Sequence, residues 1–222
     1  MRSLWDMGPK RGWALALAAT MPLAACGIPE GRPGRAVVSA PRPAEPDPAA
    51  RQCMANLAAI DVRFTPLPDQ RYGGGCTSIG TVRLLDIGVP ATNLGAMTCP
   101  LAANFVAWAR YGVEPAARLL LGGEIARIET FGTYNCRPIA GSARLSEHAH
   151  GNAVDVSAFV LTDGRRITVK DGWNGARRTR QFLTVVHASA CKRFSTVLGP
   201  NYNAAHQDHL HFDMGGGGGF CR

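Results

Sequence analysis

The stretch SEHAHGNAVD, residues 146–155, places His148 seven residues before Asp155, with Gly151 between them. Imidazole nitrogens and carboxylate oxygens bind zinc, and a catalytic zinc site usually has three protein ligands and one open position. A second cluster, HQDHLHFD at residues 206–213, can supply the third ligand. Five of the six histidines lie in these two stretches. This concentration favours a metal site over the plainer interpretation of a solvated loop histidine and a capping aspartate.

Two predicted strands, residues 153–160 and 209–213, would bring the two clusters together. Because side chains alternate along a strand, neighbouring antiparallel strands can direct Asp155 and His211 toward one point. His148 would reach the same point from the loop before its strand. The pattern therefore predicts a site with three ligands.

The rest of the chain from residue 51 onward predicts an α+β domain, with a small antiparallel sheet and flanking helices. The other predicted strands are residues 81–87, 125–131, 166–169 and 195–198. Four helices are predicted. The first carries Cys53, Leu57 and Ile60 on one face, and the second begins at Thr98 and Pro100 and carries Leu101, Phe105 and Trp108. The third covers residues 115–121 and ends at Gly122, and the fourth covers residues 176–192, with Phe182, Val185, Val186 and Ala190 inward. His187 on the last helix is expected to be structural.

The cysteines predict an exported, disulfide-stabilised protein. Setting aside Cys26 leaves six, with no CxxC spacing of the kind that a structural zinc or redox site uses. Disulfides persist in oxidising compartments. Six cysteines allow 15 disulfide connectivities, and the sequence does not distinguish among them. Pairing of chain neighbours is the working expectation: Cys53 with Cys76, Cys99 with Cys136, and Cys191 with Cys221.

Residues 1–25 have the features of a signal peptide: basic residues, a short apolar run, and small residues before Cys26. The sequence LAAC resembles the bacterial lipoprotein signal, which implies acylation of Cys26. An ordinary signal peptide cut nearby is the alternative. Residues 26–50 are rich in proline and predict a tether that spans up to roughly 75 Å. The expected location is the periplasm-facing side of the cell envelope, and Gly27 favours the outer membrane.

The chain is basic, with a formal charge of +8, which falls to +6 without residues 1–25 and their three basic and one acidic residues. A basic exported domain suggests an anionic polymer as partner. Cell-wall material or anionic lipid fits this compartment better than nucleic acid does. The charge can equally serve solubility alone. We expect a monomer.

At the level of longer motifs the chain resembles known families. The pattern SxHxxGxAxD followed by HxH is similar to the LAS-type zinc peptidases, which include D-alanyl-D-alanine carboxypeptidases and murein endopeptidases. The longer runs TYNCRPIAG, RLSEHAHGNAVDVSAF and VLGPNYNAAHQDHLHFD closely resemble the extensin-like C-terminal domain family, over about residues 51–222. This resemblance implies a LAS/hedgehog-type fold and makes His148, Asp155 and His211 the zinc ligands.

The same resemblance implies catalytic roles for Asp208, His209 and Arg137. Asp208 or His209 would act as the base, although many carboxypeptidases have glutamate where this chain has Asp208. Side chains three residues apart on a strand lie on opposite faces, so Asp208 could reach the same metal as His211 only if it lies in the turn before the strand. Arg137 would stabilise the transition state. Ser146 lacks a GxSxG context and is expected to orient the loop.

The leading hypothesis is a lipid-anchored zinc metallopeptidase of the cell envelope that hydrolyses peptidoglycan peptide bonds. One alternative is a zinc-stabilised lipoprotein that binds the cell wall without hydrolysis. The other is a structural envelope lipoprotein that holds no stoichiometric metal. Metal content and turnover separate the three.

Overall fold

The computed structural model describes residues 47–222. The predicted signal peptide at residues 1–25, the predicted lipidation site at Cys26 and nearly all of the predicted tether lie outside the described residues.

The first helix, α1 (Pro48–Ala59), begins three residues before the expected domain boundary at residue 51. Asp47 accounts for this early start, because its Oδ1 accepts hydrogen bonds from the backbone N–H groups of Ala49 and Ala50, at 2.7 and 3.1 Å. A side-chain acceptor at this position satisfies donors that have no partner inside the helix. The last residues of the predicted tether therefore belong to the domain.

Five short strands follow α1: β1 (Arg63–Pro66), β2 (Gln70–Arg71), β3 (Thr77–Ser78), β4 (Thr81–Asp86) and β5 (Met97–Thr98). Strand β4 pairs antiparallel with β1 and β5, and β2 pairs with β3. Leu57 of α1 is buried as expected, whereas Ile60 is 48% exposed because it lies just beyond the helix.

A long helical segment runs from Cys99 to Leu121. It consists of α2 (Cys99–Trp108), a π-helical segment (Ala109–Val113), α3 (Glu114–Ala116) and a second π-helical segment (Ala117–Leu121). The predicted inward face is confirmed, since Leu101, Phe105 and Trp108 are fully buried. Gly122 follows the segment with a φ of +65°, a conformation that glycine adopts without steric cost.

The largest sheet has six strands and carries the metal motif. Its strands are β6 (Ile125–Gly132), β7 (Ala153–Leu161), β8 (Arg166–Thr168), β9 (Thr196–Leu198), β10 (Leu210–Asp213) and β11 (Phe220–Cys221). Every residue of β7 is buried, and β7 pairs antiparallel with β6, β8 and β10. Strand β9 pairs antiparallel with β10 and parallel with β11.

Two further helices lie between β8 and β9, namely α4 (Val169–Gly172) and α5 (Arg177–Ala190). Phe182, Val186 and Ala190 of α5 are buried as predicted, and the indole N–H of Trp108 donates to the backbone carbonyl of Val186 at 2.9 Å. The inward placement of Val185 is wrong. This side chain is 46% exposed, because one residue turns about 100° around a helix.

Three disulfides cross-link the domain, and only one of them joins the expected partners. The bond between Cys191 and Cys221 is confirmed, whereas the other two bonds join Cys53 to Cys99 and Cys76 to Cys136. The Cα atoms of these two pairs lie 6.0 and 5.7 Å apart. Packing of α1 against α2 decides the first pair. Neighbourhood along the chain did not predict this tertiary contact.

Mixed helices and small, largely antiparallel sheets with three disulfides establish the α+β class. Among residues 47–222, none of the helices combines the length and apolar character that a membrane span requires.

Candidate metal centre

Strands β7 and β10 place Asp155 directly opposite His211 in an antiparallel register. The neighbours Val154 and Val156 are fully buried in the hydrophobic core. Since side chains alternate along each strand, Asp155 and His211 lie together on the face opposite these valines. The strand register predicted from the sequence is confirmed.

His148 reaches the same face from a 3₁₀ turn, Glu147–His150, that precedes β7. The hydroxyl of Ser146 accepts a hydrogen bond from the backbone N–H of His148 at 3.3 Å, which is the orienting contact expected of Ser146. Gly151 ends the turn with a φ of +63°, and a Cβ there would lie 3.2 Å from the carbonyl oxygen of Ala96. Both the backbone angle and the available space therefore favour glycine at this position.

Potential ligand atoms of three side chains converge in a buried position. His148 Nε2 lies 3.1 Å from Asp155 Oδ2 and 3.3 Å from His211 Nδ1, and His211 Nδ1 lies 2.8 Å from Asp155 Oδ1. A tetrahedral ion with bonds of about 2.0 to 2.1 Å needs ligand atoms about 3.3 Å apart. The three side chains therefore have nearly the spacing that such an ion requires.

The remaining nitrogen of each histidine has a defined partner. His148 Nδ1 lies 2.8 Å from the carbonyl oxygen of Thr133, and His211 Nε2 lies 3.1 Å from Asp213 Oδ2. Since a carbonyl oxygen only accepts, Nδ1 of His148 donates to Thr133, and Nε2 is the nitrogen that faces Asp155 and His211. Such outer partners fix the tautomer and orientation of histidine ligands. The outer contacts thus prepare one nitrogen of each ring for a metal.

The pKa values of Asp155 and His211 are shifted because the two side chains interact in a buried position. Burial by itself would raise the pKa of Asp155, but hydrogen bonds from His148 and His211 outweigh it and hold this pKa below its ordinary value. Burial would lower the pKa of His211, but Asp155 and Asp213 raise it to about 9. The raised pKa favours the protonated form of His211 near pH 7, with Nδ1 facing Asp155 and Nε2 facing Asp213.

Two imidazole nitrogens and one carboxylate form a donor set that suits zinc and other first-row divalent ions. Among the described residues, His187, Cys191 and Cys221 form a second group of potential ligands. The two cysteines of that group are joined in a disulfide. His187 Nε2 lies 3.1 Å from the carbonyl oxygen of Arg222, which agrees with the structural role expected of His187.

A cleft of about 440 Å³ opens beside the metal centre, within the size range of small-ligand pockets. His211, His209, His206 and Arg137 all line it. The structure thus brings Arg137 and His209, two of the three predicted catalytic side chains, to the same cleft as a predicted metal ligand. Asp208 is the third, and it does not line the cleft.

Asp208 lies in the turn before β10, where the parity argument requires it to be, and its Oδ1 lies 2.9 Å from His209 Nδ1. His209 Nε2 in turn lies 3.6 Å from Asp155 Oδ1. The side chain of His209 is 12% exposed, compared with 42% for Asp208. His209 therefore lies between Asp208 and the metal centre.

Two other histidines of the motifs have separate surroundings. His150 Nδ1 lies 2.9 Å from the Thr77 hydroxyl, away from the ligand cluster. His206 lines the cleft, and its Nδ1 lies 2.7 Å from Asn203 Oδ1. Burial, followed by the positive charges of His209, His211 and Arg137, lowers the pKa of His206 to about 4. A neutral His206 therefore faces the cleft near pH 7.

Sequence reasoning missed Asp213 and Thr133 as partners of the ligands. The role of Asp213 could have been predicted from the sequence, because Asp213 follows His211 by two residues and so lies on the same face of the strand. The role of the carbonyl group of Thr133 could not, because backbone groups leave no residue-specific signal.

The sequence matches the family model of the extensin-like protein C-terminus over residues 51–222, which is more than half of the chain. No curated protein and no solved structure gives a significant match.

Proposed function

The chain belongs to the extensin-like protein C-terminus family, and we propose that its domain is a zinc metallopeptidase that hydrolyses peptide bonds of peptidoglycan. The observation that carries this proposal is the buried cluster of His148, Asp155 and His211, one member of which, His211, lines a cleft. Three protein ligands beside an accessible space are characteristic of catalytic zinc sites, whereas structural sites are closed by four ligands.

The proposed ligand atoms are His148 Nε2, His211 Nδ1 and a carboxylate oxygen of Asp155. Zinc bound there would lower the pKa of a water molecule toward neutrality and polarise the scissile carbonyl. Thr133 and Asp213 would keep the two imidazole rings in the binding orientation. Zinc is proposed because two imidazoles and one carboxylate suit it better than they suit magnesium or calcium, and because hydrolysis needs no redox-active ion.

We assign His209 as the general base and Asp208 as its orienting partner. Asp208 Oδ1 lies 2.9 Å from Nδ1 of His209 and would accept its hydrogen bond, which directs Nε2 of His209 toward Asp155 and the proposed metal. In hydrolysis, the hydroxyl of water adds to the carbonyl carbon and the C–N bond breaks. His209 would take the proton from the water and return it to the leaving amine nitrogen.

Arg137 is proposed to stabilise the charge that develops on the carbonyl oxygen. It lines the cleft, and its positive charge acts on His206. A fixed positive group lowers the activation barrier most when it lies beside an atom whose negative charge increases between the ground state and the transition state. Loss of Arg137 should therefore lower kcat more than it raises KM.

The proposed setting is the periplasm-facing side of the cell envelope. Lipidated Cys26 would anchor the domain to the outer membrane, where it would act as a monomer. The three disulfides support an oxidising compartment. The net positive charge suits an anionic cell-wall polymer, and we propose no nucleic-acid partner.

The test combines metal analysis with digestion of muropeptides by the same disulfide-intact sample. The proposal expects one zinc per chain and the release of new amino groups. Zinc without cleavage, together with sedimentation on purified cell wall, would support a non-catalytic wall-binding lipoprotein instead. Absence of bound metal would support a structural lipoprotein with an unused ligand cluster.

A further inference from the structure

One wall of the cleft is a hairpin-like loop, residues 137–146. Pro138 forms an antiparallel bridge with Leu145. On either side of this bridge, the N–H of Ile139 donates to the carbonyl of Arg144 at 2.9 Å, and the N–H of Ser146 donates to the carbonyl of Arg137 at 3.1 Å. These two hydrogen bonds fix which residues of the loop lie opposite each other.

Paired residues and residues two apart share a face of an antiparallel hairpin. Arg137, Ile139, Arg144 and Ser146 therefore form one face, and all four line the cleft. Arg137 and Arg144 are diagonal neighbours on this face, with an expected separation of about 7 to 8 Å. Two guanidinium groups can thus reach the same small ligand.

Neither arginine has an acidic partner among residues 47–222. Within residues 47–222, the side chain of Arg137 makes one hydrogen bond, to the carbonyl oxygen of its neighbour Pro138 at 3.5 Å, and Arg144 makes no side-chain hydrogen bond or ion pair. Some exposed arginines of the domain are paired, as Arg166 is with Glu129 at 2.7 Å. Others, such as Arg83, have no acidic partner within this range but lie outside the cleft, whereas Arg137 and Arg144 lie together on its wall. Positive charges placed side by side without a counter-charge favour an anionic ligand.

The acidic side chains that line the cleft already have partners. Glu147 Oε2 accepts a hydrogen bond from Asn152 at 2.7 Å, and Asp213 accepts from His211 and from the N–H of Gly215. The anion that faces the two arginines is therefore expected to arrive with the substrate.

Building on the proposed peptidase function, we propose that Arg144 binds the free carboxylate at the C-terminus of the substrate peptide, which makes the chain a carboxypeptidase. The scissile carbonyl and this carboxylate are one residue apart, a span of about 3.3 to 3.6 Å in an extended peptide. Arg137 and Arg144 are far enough apart to contact the two groups separately. Arg144 selects the substrate, whereas Arg137 acts on the reacting carbonyl.

The test uses the full chain with intact disulfides and bound zinc, and two synthetic pentapeptides ending in D-Ala-D-Ala, one with a free carboxylate and one with a C-terminal amide. Arg144→Gln removes the charge and keeps much of the side-chain length. Arg83→Gln, at an exposed position of β4 outside the cleft, is the matched control. Both kcat/KM and the dissociation constant of each peptide are measured.

The wild type should cleave the free acid at least about tenfold more efficiently than the amide, and Arg144→Gln should remove that preference by acting on the acid alone. A loss of this size is typical of a hydrogen bond to a charged group. Arg83→Gln should change neither value. Equal cleavage of both peptides by the wild type, or an equal loss on both in Arg144→Gln, would overturn the assignment of Arg144 and leave the peptidase function standing.

The binding measurement separates the two proposals if neither peptide is hydrolysed. Tighter binding of the acid that disappears in Arg144→Gln would support the carboxylate site and reject the peptidase function. No difference in binding between acid and amide would reject the carboxylate site as well.

Discussion

Asp213→Asn is expected to weaken zinc binding without unfolding the domain. In the native protein, Asp213 Oδ2 lies 3.1 Å from His211 Nε2, and Oδ1 accepts a hydrogen bond from the N–H of Gly215 at 2.9 Å. Asparagine can retain the bond to Gly215 through its remaining oxygen. Its NH₂ group would then face His211 Nε2, which can accept that hydrogen bond only without a proton.

This change forces the proton of neutral His211 onto Nδ1, the atom that faces His148 and Asp155. A protonated nitrogen cannot bind a metal, so the tautomer that binds zinc loses its support. Mutations of such outer partners typically cost 10- to 100-fold in metal affinity, which corresponds to about 1.4 to 2.7 kcal/mol. The structure thus predicts a tenfold to hundredfold rise in the zinc dissociation constant.

The assay is competition with a chromophoric zinc chelator at pH 7.5, with thermal unfolding of the metal-free proteins as the folding check. Asp163→Asn is the matched control, because Asp163 is an exposed aspartate paired with Arg165. A zinc dissociation constant within twofold of the wild-type value in Asp213→Asn would refute the proposed ligand atom and its outer contact.

Three further predictions concern His211, the disulfide between Cys76 and Cys136, and Asp208. His211, with a pKa of about 9, must lose a proton before zinc binds, so the apparent zinc dissociation constant should fall about tenfold per pH unit between pH 6.5 and 9. Over the same pH range the metal-free domain should lose stability, because the raised pKa of His211 stabilises the folded state only while His211 is protonated. A zinc affinity that does not change with pH would contradict the first of these expectations. Replacing Cys76 and Cys136 together by alanine should cost about 2 to 5 kcal/mol of unfolding free energy, measured by urea titration, and an unchanged midpoint would mean that the bond contributes nothing. Asp208→Asn should keep stoichiometric zinc and lower kcat on muropeptides by at least about tenfold, whereas wild-type turnover would remove Asp208 from the proposed base pair.

The sequence predicted the convergence of His148, Asp155 and His211 because two short-range rules determine it. The strand period placed Asp155 and His211 on one face, and the structure pairs them directly. His148 required only a turn that ends at a glycine, and Gly151 supplies it. Local patterns were therefore enough to bring three distant residues together.

Contacts that depend on packing between elements were not predictable in the same way. Cys53 pairs with Cys99 because α1 packs against α2, and nothing in the spacing of cysteines encodes that contact. Val185 was placed inward because it is apolar, although the helical period that buries Val186 turns it outward. The two arginines of the cleft wall became neighbours only through the backbone hydrogen bonds of their loop.

The most direct test of the central claim is the zinc content of three disulfide-intact proteins after dialysis against buffer with trace zinc, measured by plasma mass spectrometry. We expect about one zinc per chain for the wild type and less than about 0.1 for His148→Ala and for His211→Ala, with circular dichroism showing that all three are folded. Stoichiometric zinc in both variants, or none in the wild type, would contradict the assignment of His148, Asp155 and His211 as the metal centre.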